Sequence, residues 1–264
     1  MQHALLAGVL ASVACGVVGA YVVVKRITLI SGGIAHASLG GIGAALFFGV
    51  SPLLGAAVFS LAAAALIGLI RLTAREQEDT LIGALWAGGM ALGVVLMQRA
   101  PVSASIESYL FGNILLVSTS DLVVAACLDL FILATVALFY KEFLAITLDE
   151  EFAWLRGVPV TALYIVLLCL VALTVVVLIR VVGIILLIAL LTLPAAMGRW
   201  FTRRLPALMF AAFLLGVLFT TGGVFISFYT DLPAGASIVL LAVAAYAAGI
   251  LLRRVALRRR LRAA

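Results

Sequence analysis

The residues best able to do chemistry are a histidine and an aspartate placed where charge is costly. His36 lies in the run SGGIAHASLGGIG (31–43), between the small hydroxyls Ser31 and Ser38 and among five glycines. An ionisable side chain at membrane depth is tolerated only when it faces a protein interior or a water-filled path, so it marks a function by default. Neutral imidazole is a transition-metal ligand; the other reading is a histidine hydrogen-bonded to Ser or backbone groups of the next helix. Asp129, between Leu128 and Leu130, is a lone carboxylate that must be paired, hydrated or protonated. Gly32 and Gly33 permit close backbone approach, and Gly40 and Gly43 let a neighbouring helix pack tightly. The combination predicts a path for something small and polar.

The chain that must position these residues is far too apolar for water. Of its 264 residues 66% are hydrophobic and 11% charged, where a soluble domain carries roughly a quarter charged residues. Crossing a ~30 Å hydrocarbon core takes about 20 apolar residues per helix, and several runs reach that length, so the expected fold is an all-α, polytopic membrane bundle. Nine spans are expected, at about 4–24, 34–50, 54–70, 81–97, 122–140, 160–178, 181–197, 208–228 and 234–252. The first run lacks a preceding Lys or Arg and is long enough to span, so it is retained as a helix rather than a signal peptide. With alternating sides, 15 of the 17 Lys and Arg fall together and only Arg99 and Arg180 fall opposite. That asymmetry predicts an outside N-terminus and an inside C-terminus.

The net charge of +6 therefore reports topology, and nucleic acid is not an expected partner. Residues 253–264 form a basic tail with six arginines, suited to anionic lipid heads; residues 1–252 form the membrane domain. Cys15, Cys127 and Cys169 lack metal-site or disulfide spacing. The outer connection 98–121 carries Ser103, Ser105, Glu107, Ser108, Tyr109, Phe111 and Asn113, as an external contact or an interfacial loop. Glu76, Glu78 and Asp79 stand at an inner mouth, where Glu78 and Asp79 fit a helix start. Pro194 removes a backbone donor within a span and predicts a kink. Met90 and Met97 fit core filling.

The segment 141–159, KEFLAITLDEEFAWLRGVP, is the most informative on the inner side. Thr147 and Glu150 have capping-box spacing, and Gly157 with Pro159 stops a helix. About nine residues rise only ~13 Å, too short to span. Leu148, Phe152 and Leu155 form one stripe, while Asp149, Glu150, Glu151 and Arg156 take other faces. A membrane-surface helix usually carries Lys and Arg on its polar face; this acidic one predicts docking into the groove of a cytosolic protein.

Collinear stretches then carry a resemblance. They are Lys25-Arg26, IAHASL (34–39), EDTLIG (78–83), GGMALG (88–93), YLFGN (109–113), LDEEFA (148–153), RGVP (156–159), LPAA (193–196), TGG (221–223) and PAG (233–235). Together the chain resembles ABC-3 permeases, the membrane subunits of ATP-binding-cassette importers for zinc, manganese and related divalent metals such as iron. The resemblance implies a homodimer in a prokaryotic plasma membrane, an extracytoplasmic metal-binding protein that delivers the ion, and two cytosolic ATPase subunits. Residues 147–157 match the coupling helix, with Leu148, Asp149, Glu151, Phe152, Leu155 and Gly157 as the expected ATPase contacts. ATP would belong to the partner, because the chain lacks a GxxxxGK[ST] phosphate loop; no cofactor is expected to stay bound, and the metal is cargo.

The chain departs from the family at one position. The family commonly places an Asp four residues before the histidine, so that both reach one ion; here that position is Gly32. His36 alone remains a candidate transient metal ligand, and Asp129 is a candidate replacement for the missing carboxylate if it faces His36 across the bundle; otherwise Asp129 is a protonated carboxyl hydrogen-bonded within it. A rival reading is a proton-coupled secondary metal transporter that uses these two groups without an ATPase. An intramembrane hydrolase is disfavoured, since His36 and Ser38 do not share a helix face.

Overall fold

The computed structural model describes residues 2–73, 78–101, 109–110, 112 and 114–263; side chains 72, 73, 78, 115, 180, 181 and 256–263 are outside the description. Glu76 and the loop residues Ser103, Ser105, Glu107, Ser108, Phe111 and Asn113 therefore lie outside the described residues. Eleven helices and one short 3-10 turn (Ile114–Leu116) account for the regular structure, with no strand among the described residues. They are α1 (Gln2–Lys25), α2 (Thr28–Phe47), α3 (Pro52–Thr73), α4 (Glu78–Arg99), α5 (Thr119–Leu138), α6 (Tyr140–Leu148), α7 (Glu150–Leu155), α8 (Val160–Val181), α9 (Gly183–Gly198), α10 (Leu205–Thr230) and α11 (Ala234–Ala263). Eight are long and apolar enough to cross a membrane. The ninth expected span is α9, a shorter apolar helix of 16 residues.

α2 lies at the centre of one half of the bundle, with α4 and α3 on its flanks, while α1 packs on α10, α9 and α5. Small residues make this possible. A methyl group at Gly89 of α4 would sit 2.6 Å from the Ala37 Cα, and one at Gly93 would sit 2.7 Å from the Leu39 carbonyl oxygen. Inside lipid, helices associate through such close contacts because hydrocarbon offers no competing hydrophobic drive. Consequently α2 is buried on nearly all sides, from Ile30 to Gly43. On the other flank Gly19 of α1 rests against the Leu191 carbonyl of α9, within the turn that precedes Pro194, which is buried inside α9.

Two connections depart from the sequence expectation. The expected helix from Thr147 to Gly157 is two pieces, α6 and α7, divided at Asp149, whose backbone is extended (φ −155°, ψ 106°). Asp149 is the N-cap of α7, its side chain accepting from the Phe152 N–H at 3.0 Å. Thr147 ends up inside α6 with its hydroxyl buried, so the Thr147–Glu150 capping box does not form. An aspartate next to the first helical residue captures the free donors directly. A capping box does occur at the start of α5, where Ser118 and Asp121 satisfy each other's backbone N–H groups. The second departure is the basic tail, whose backbone continues α11 to Ala263.

α7 stops as expected. Gly157 takes φ +77°, a conformation that costs an L side chain roughly 1–2 kcal/mol. Its N–H donates to the Trp154 carbonyl and the Val158 N–H donates to Ala153, the paired bonds of a Schellman turn.

Candidate functional site

Near the middle of α2, His36 is buried at 7% exposure. Its ring stacks on the indole of Trp86 from α4, with centroids 4.1 Å apart and planes inclined by 19°. Nδ1 is buried and has no hydrogen-bond partner. The two hydroxyls of the same helix are engaged locally: Ser31 Oγ donates to the Thr28 carbonyl at 2.7 Å and Ser38 Oγ to the Ala35 carbonyl at 2.5 Å. A buried imidazole with one unsatisfied nitrogen costs free energy that a ligand entering the site can return.

Asp129 is also buried, at 3% exposure, with both carboxylate oxygens unpartnered. It lies on α5, which packs against α1 and α8, whereas α2 packs chiefly on α4 and α3. The titratable neighbour within its electrostatic reach is Cys15 of α1. His36 and Asp129 share no hydrogen bond or ion pair, and among the described residues no three of His, Cys, Asp and Glu gather as a metal cage. Each is therefore an isolated, weakly satisfied group in its own half of the bundle.

At the basic end, one carboxylate joins three segments. Glu150, the first residue of α7, accepts from Lys25 Nζ at the end of α1 and from Arg71 Nη2 near the end of α3, which lies 3.0 Å from each carboxylate oxygen. Lys25 also donates to the Ile146 carbonyl of α6 at 2.7 Å. The Arg71 guanidinium stacks on the Tyr164 ring of α8 at 4.0 Å. A cavity of about 260 Å³ adjoins this cluster, reaching Asp79 and Ile82 of α4. Burial alone would push the Glu150 carboxyl up, but the Lys25 and Arg71 cations hold it below the ordinary glutamate value. Both cations reach it through charge-assisted hydrogen bonds, which are stronger than those between neutral groups.

Most of α7 faces outward, with Ala153 buried. Trp154 and Leu155 are at least 70% exposed and Phe152 is 52% exposed, beneath the Arg156 guanidinium at 5.0 Å, and Leu148 at the end of α6 is exposed as well. Leu148, Phe152 and Leu155 are thus all uncovered, but the break at Asp149 divides them between α6 and α7 instead of aligning them on one helix. Glu150 and Trp86 escaped the sequence analysis, the first because it was assigned to capping, the second because it falls between two motif stretches. Lys25 and Arg71, which also serve as topology signals, are the cue to the cluster, since each stands in the last turn of a span, the first and the third, that ends on the basic side.

A polytopic helical bundle with a buried, sparsely ligated polar site and an exposed helical stub at its basic end has the architecture of a membrane permease. The chain belongs to the ABC 3 transport family, whose model matches residues 1–253, and is a multi-pass plasma-membrane transport protein of prokaryotic type. It is 43% identical over 255 residues to an uncharacterized membrane protein of Synechocystis, covering 96% of this chain and 91% of that protein. It is 35% identical to the manganese transport system membrane protein MntC of Halalkalibacterium halodurans, covering 94% of this chain and 85% of the relative. Among solved structures, PsaBC from Streptococcus pneumoniae in complex with Fab aligns with a TM-score of 0.84 at 31% identity, covering 93% of this chain and 88% of the other.

Proposed function

We propose that this chain is the membrane subunit of an ATP-binding-cassette importer for divalent transition-metal ions, with zinc, manganese and iron as the candidate cargoes. Two copies would form the translocation unit, an extracytoplasmic metal-binding protein would deliver the ion, and cytosolic ATPase subunits would drive the cycle. The N-terminus lies outside and the C-terminus inside. The observation that carries this reading is α7: its large apolar side chains are left uncovered while its first residue is anchored to α1 and α3.

That anchoring supplies a route for force. A partner seated on Leu148, Phe152, Trp154 and Leu155 would move α7, and Glu150 would carry the motion to Lys25 and Arg71. Lys25 closes α1, and only two residues separate it from the start of α2. His36 lies eight residues further along α2, about 12 Å at 1.5 Å per residue. Near that level, neutral imidazole offers a ligand, and few ligands suit transport because the ion must also leave.

Uptake by the reconstituted complex tests the proposal. Leu155→Asp should abolish ATPase association and uptake together, by burying an unpaired charge at the interface. His36→Ala should leave association intact and lower uptake by about tenfold or more. Uptake that persists in Leu155→Asp, driven by a proton gradient alone, would overturn the reading. A proton relay through His36 and Asp129 is disfavoured, because the two groups share no contact.

A further inference from the structure

We infer that Trp86 is the specificity-determining residue of the ion path, acting by occupying the space in which an oxygen ligand beside His36 would have to stand. The inference deepens the reading of His36 as a transient ligand and rests on it.

Positions 32 and 36 are one turn apart and share a face of α2. Trp86 covers both. Its ring lies on the His36 imidazole, and its edge reaches Gly32, where an added Cβ would meet Cζ3 at 2.7 Å and Cη2 at 3.3 Å. A side chain at 32 would have to push the half-buried Trp86 ring aside. One turn further along α4 the two backbones meet closely, since a Cβ added at Gly89 would lie 2.6 Å from the Ala37 Cα and 2.9 Å from the His36 carbonyl oxygen. Backbone contact thus fixes the height at which the indole meets α2.

The exchange changes the chemistry of this face. An indole offers an N–H donor and no acceptor lone pair, so it adds no ligand to the ion, and its π-face gives a cation only weak, undirected attraction. Ser31 and Ser38 lie five and two residues from His36, so neither hydroxyl shares its face of α2. What remains for an ion is one nitrogen beside an aromatic wall. Carboxylate and carbonyl oxygens suit Mn²⁺, whereas imidazole suits Zn²⁺ and Ni²⁺. Removing the oxygen and filling its place therefore tilts the path toward nitrogen-preferring ions and against manganese.

The test uses the full chain in lipid nanodiscs and direct binding of radiolabelled Zn²⁺ and Mn²⁺. Wild type and Trp86→Phe should bind Zn²⁺ at least about tenfold more tightly than Mn²⁺. In the double variant Gly32→Asp with Trp86→Ala, which opens the space and supplies the oxygen, that ratio should fall by about tenfold or more. An unchanged ratio in the double variant overturns the role of Trp86. A second measurement needs no such repacking: with Trp154 and Trp200 replaced by Phe, Trp86 is the only indole of the three in the sequence. Ni²⁺ should then quench its emission saturably, and His36→Ala should abolish the quenching. Ni²⁺ binding through His36 that leaves the emission unmoved overturns the placement of the ring beside the ion. Binding of Zn²⁺ to His36→Ala as tight as to wild type sinks the His36 reading itself, a different failure from an unchanged ratio.

Discussion

Glu150 shows how much a single side chain can hold. Its carboxylate is shared by Lys25 and Arg71, with side chains 28%, 7% and 22% exposed. Removing one member of a partly buried cluster leaves the others unpaired, so Glu150→Gln should lower stability by about 1–2 kcal/mol, discounted for partial solvent access. The direction with pH is fixed. Because the folded carboxyl titrates below its ordinary value of 4.5, its contribution is complete above that pH and is lost as pH falls through the lower folded value. Melting temperatures in detergent should therefore fall more steeply on acidification below pH 4.5 in wild type than in Glu150→Gln. Parallel curves would show that the cluster contributes nothing to the fold. At this scale the sequence told half the story. His36 was legible because an ionisable residue among glycines in an apolar run admits few explanations, and Asp129 was conspicuous likewise. What faces each was not legible: the Trp86 stack and the cation pair on Glu150 depend on which helices meet, and local periodicity does not encode that.

At the scale of elements, the spans were readable from hydropathy and basic residues, while the joints were not. The stop of α7 was visible in Gly157, whose positive φ only glycine takes cheaply. Its start was misassigned because two acceptors, Thr147 and Asp149, compete for the free N–H groups, and the winner depends on α6 continuing through Leu148. Replacing Gly157 by Ala forces an L residue into the left-handed region, at about 1–2 kcal/mol. The strain would bear on the helix stub and not on the spans. The expected outcome is reduced co-purification of the ATPase with little change in melting temperature. An unchanged complex would show that the stub tolerates a redirected exit.

For the whole molecule, glycine-mediated contacts around α2 decide the architecture. The spacing of Gly40 and Gly43 announced a close helix partner, but the partner could have been any span. It is α4, through Gly89 and Gly93, with α3 opposite at Gly55. Gly89→Leu should separate α4 from α2 and release Trp86 from His36. Loss of protection of α2 amides in hydrogen exchange would register this, with protection in α10 and α11 retained. Uniform loss throughout would mean that the bundle melts as one unit.

The tight reversal between the first two helices has a consequence for how the protein is made. Only Arg26 and Ile27 separate α1 from α2, and α2 is the least apolar of the eight spanning helices. A segment so poor in greasy side chains partitions weakly on its own during synthesis, whereas a hairpin offers the insertion machinery the pair's combined affinity for lipid. Nascent chains beginning after Lys25 should leave residues 28–47 accessible to protease on the ribosomal side, and restoring α1 should bury them. The glycines that admit close neighbours thus make the second helix a passenger of the first.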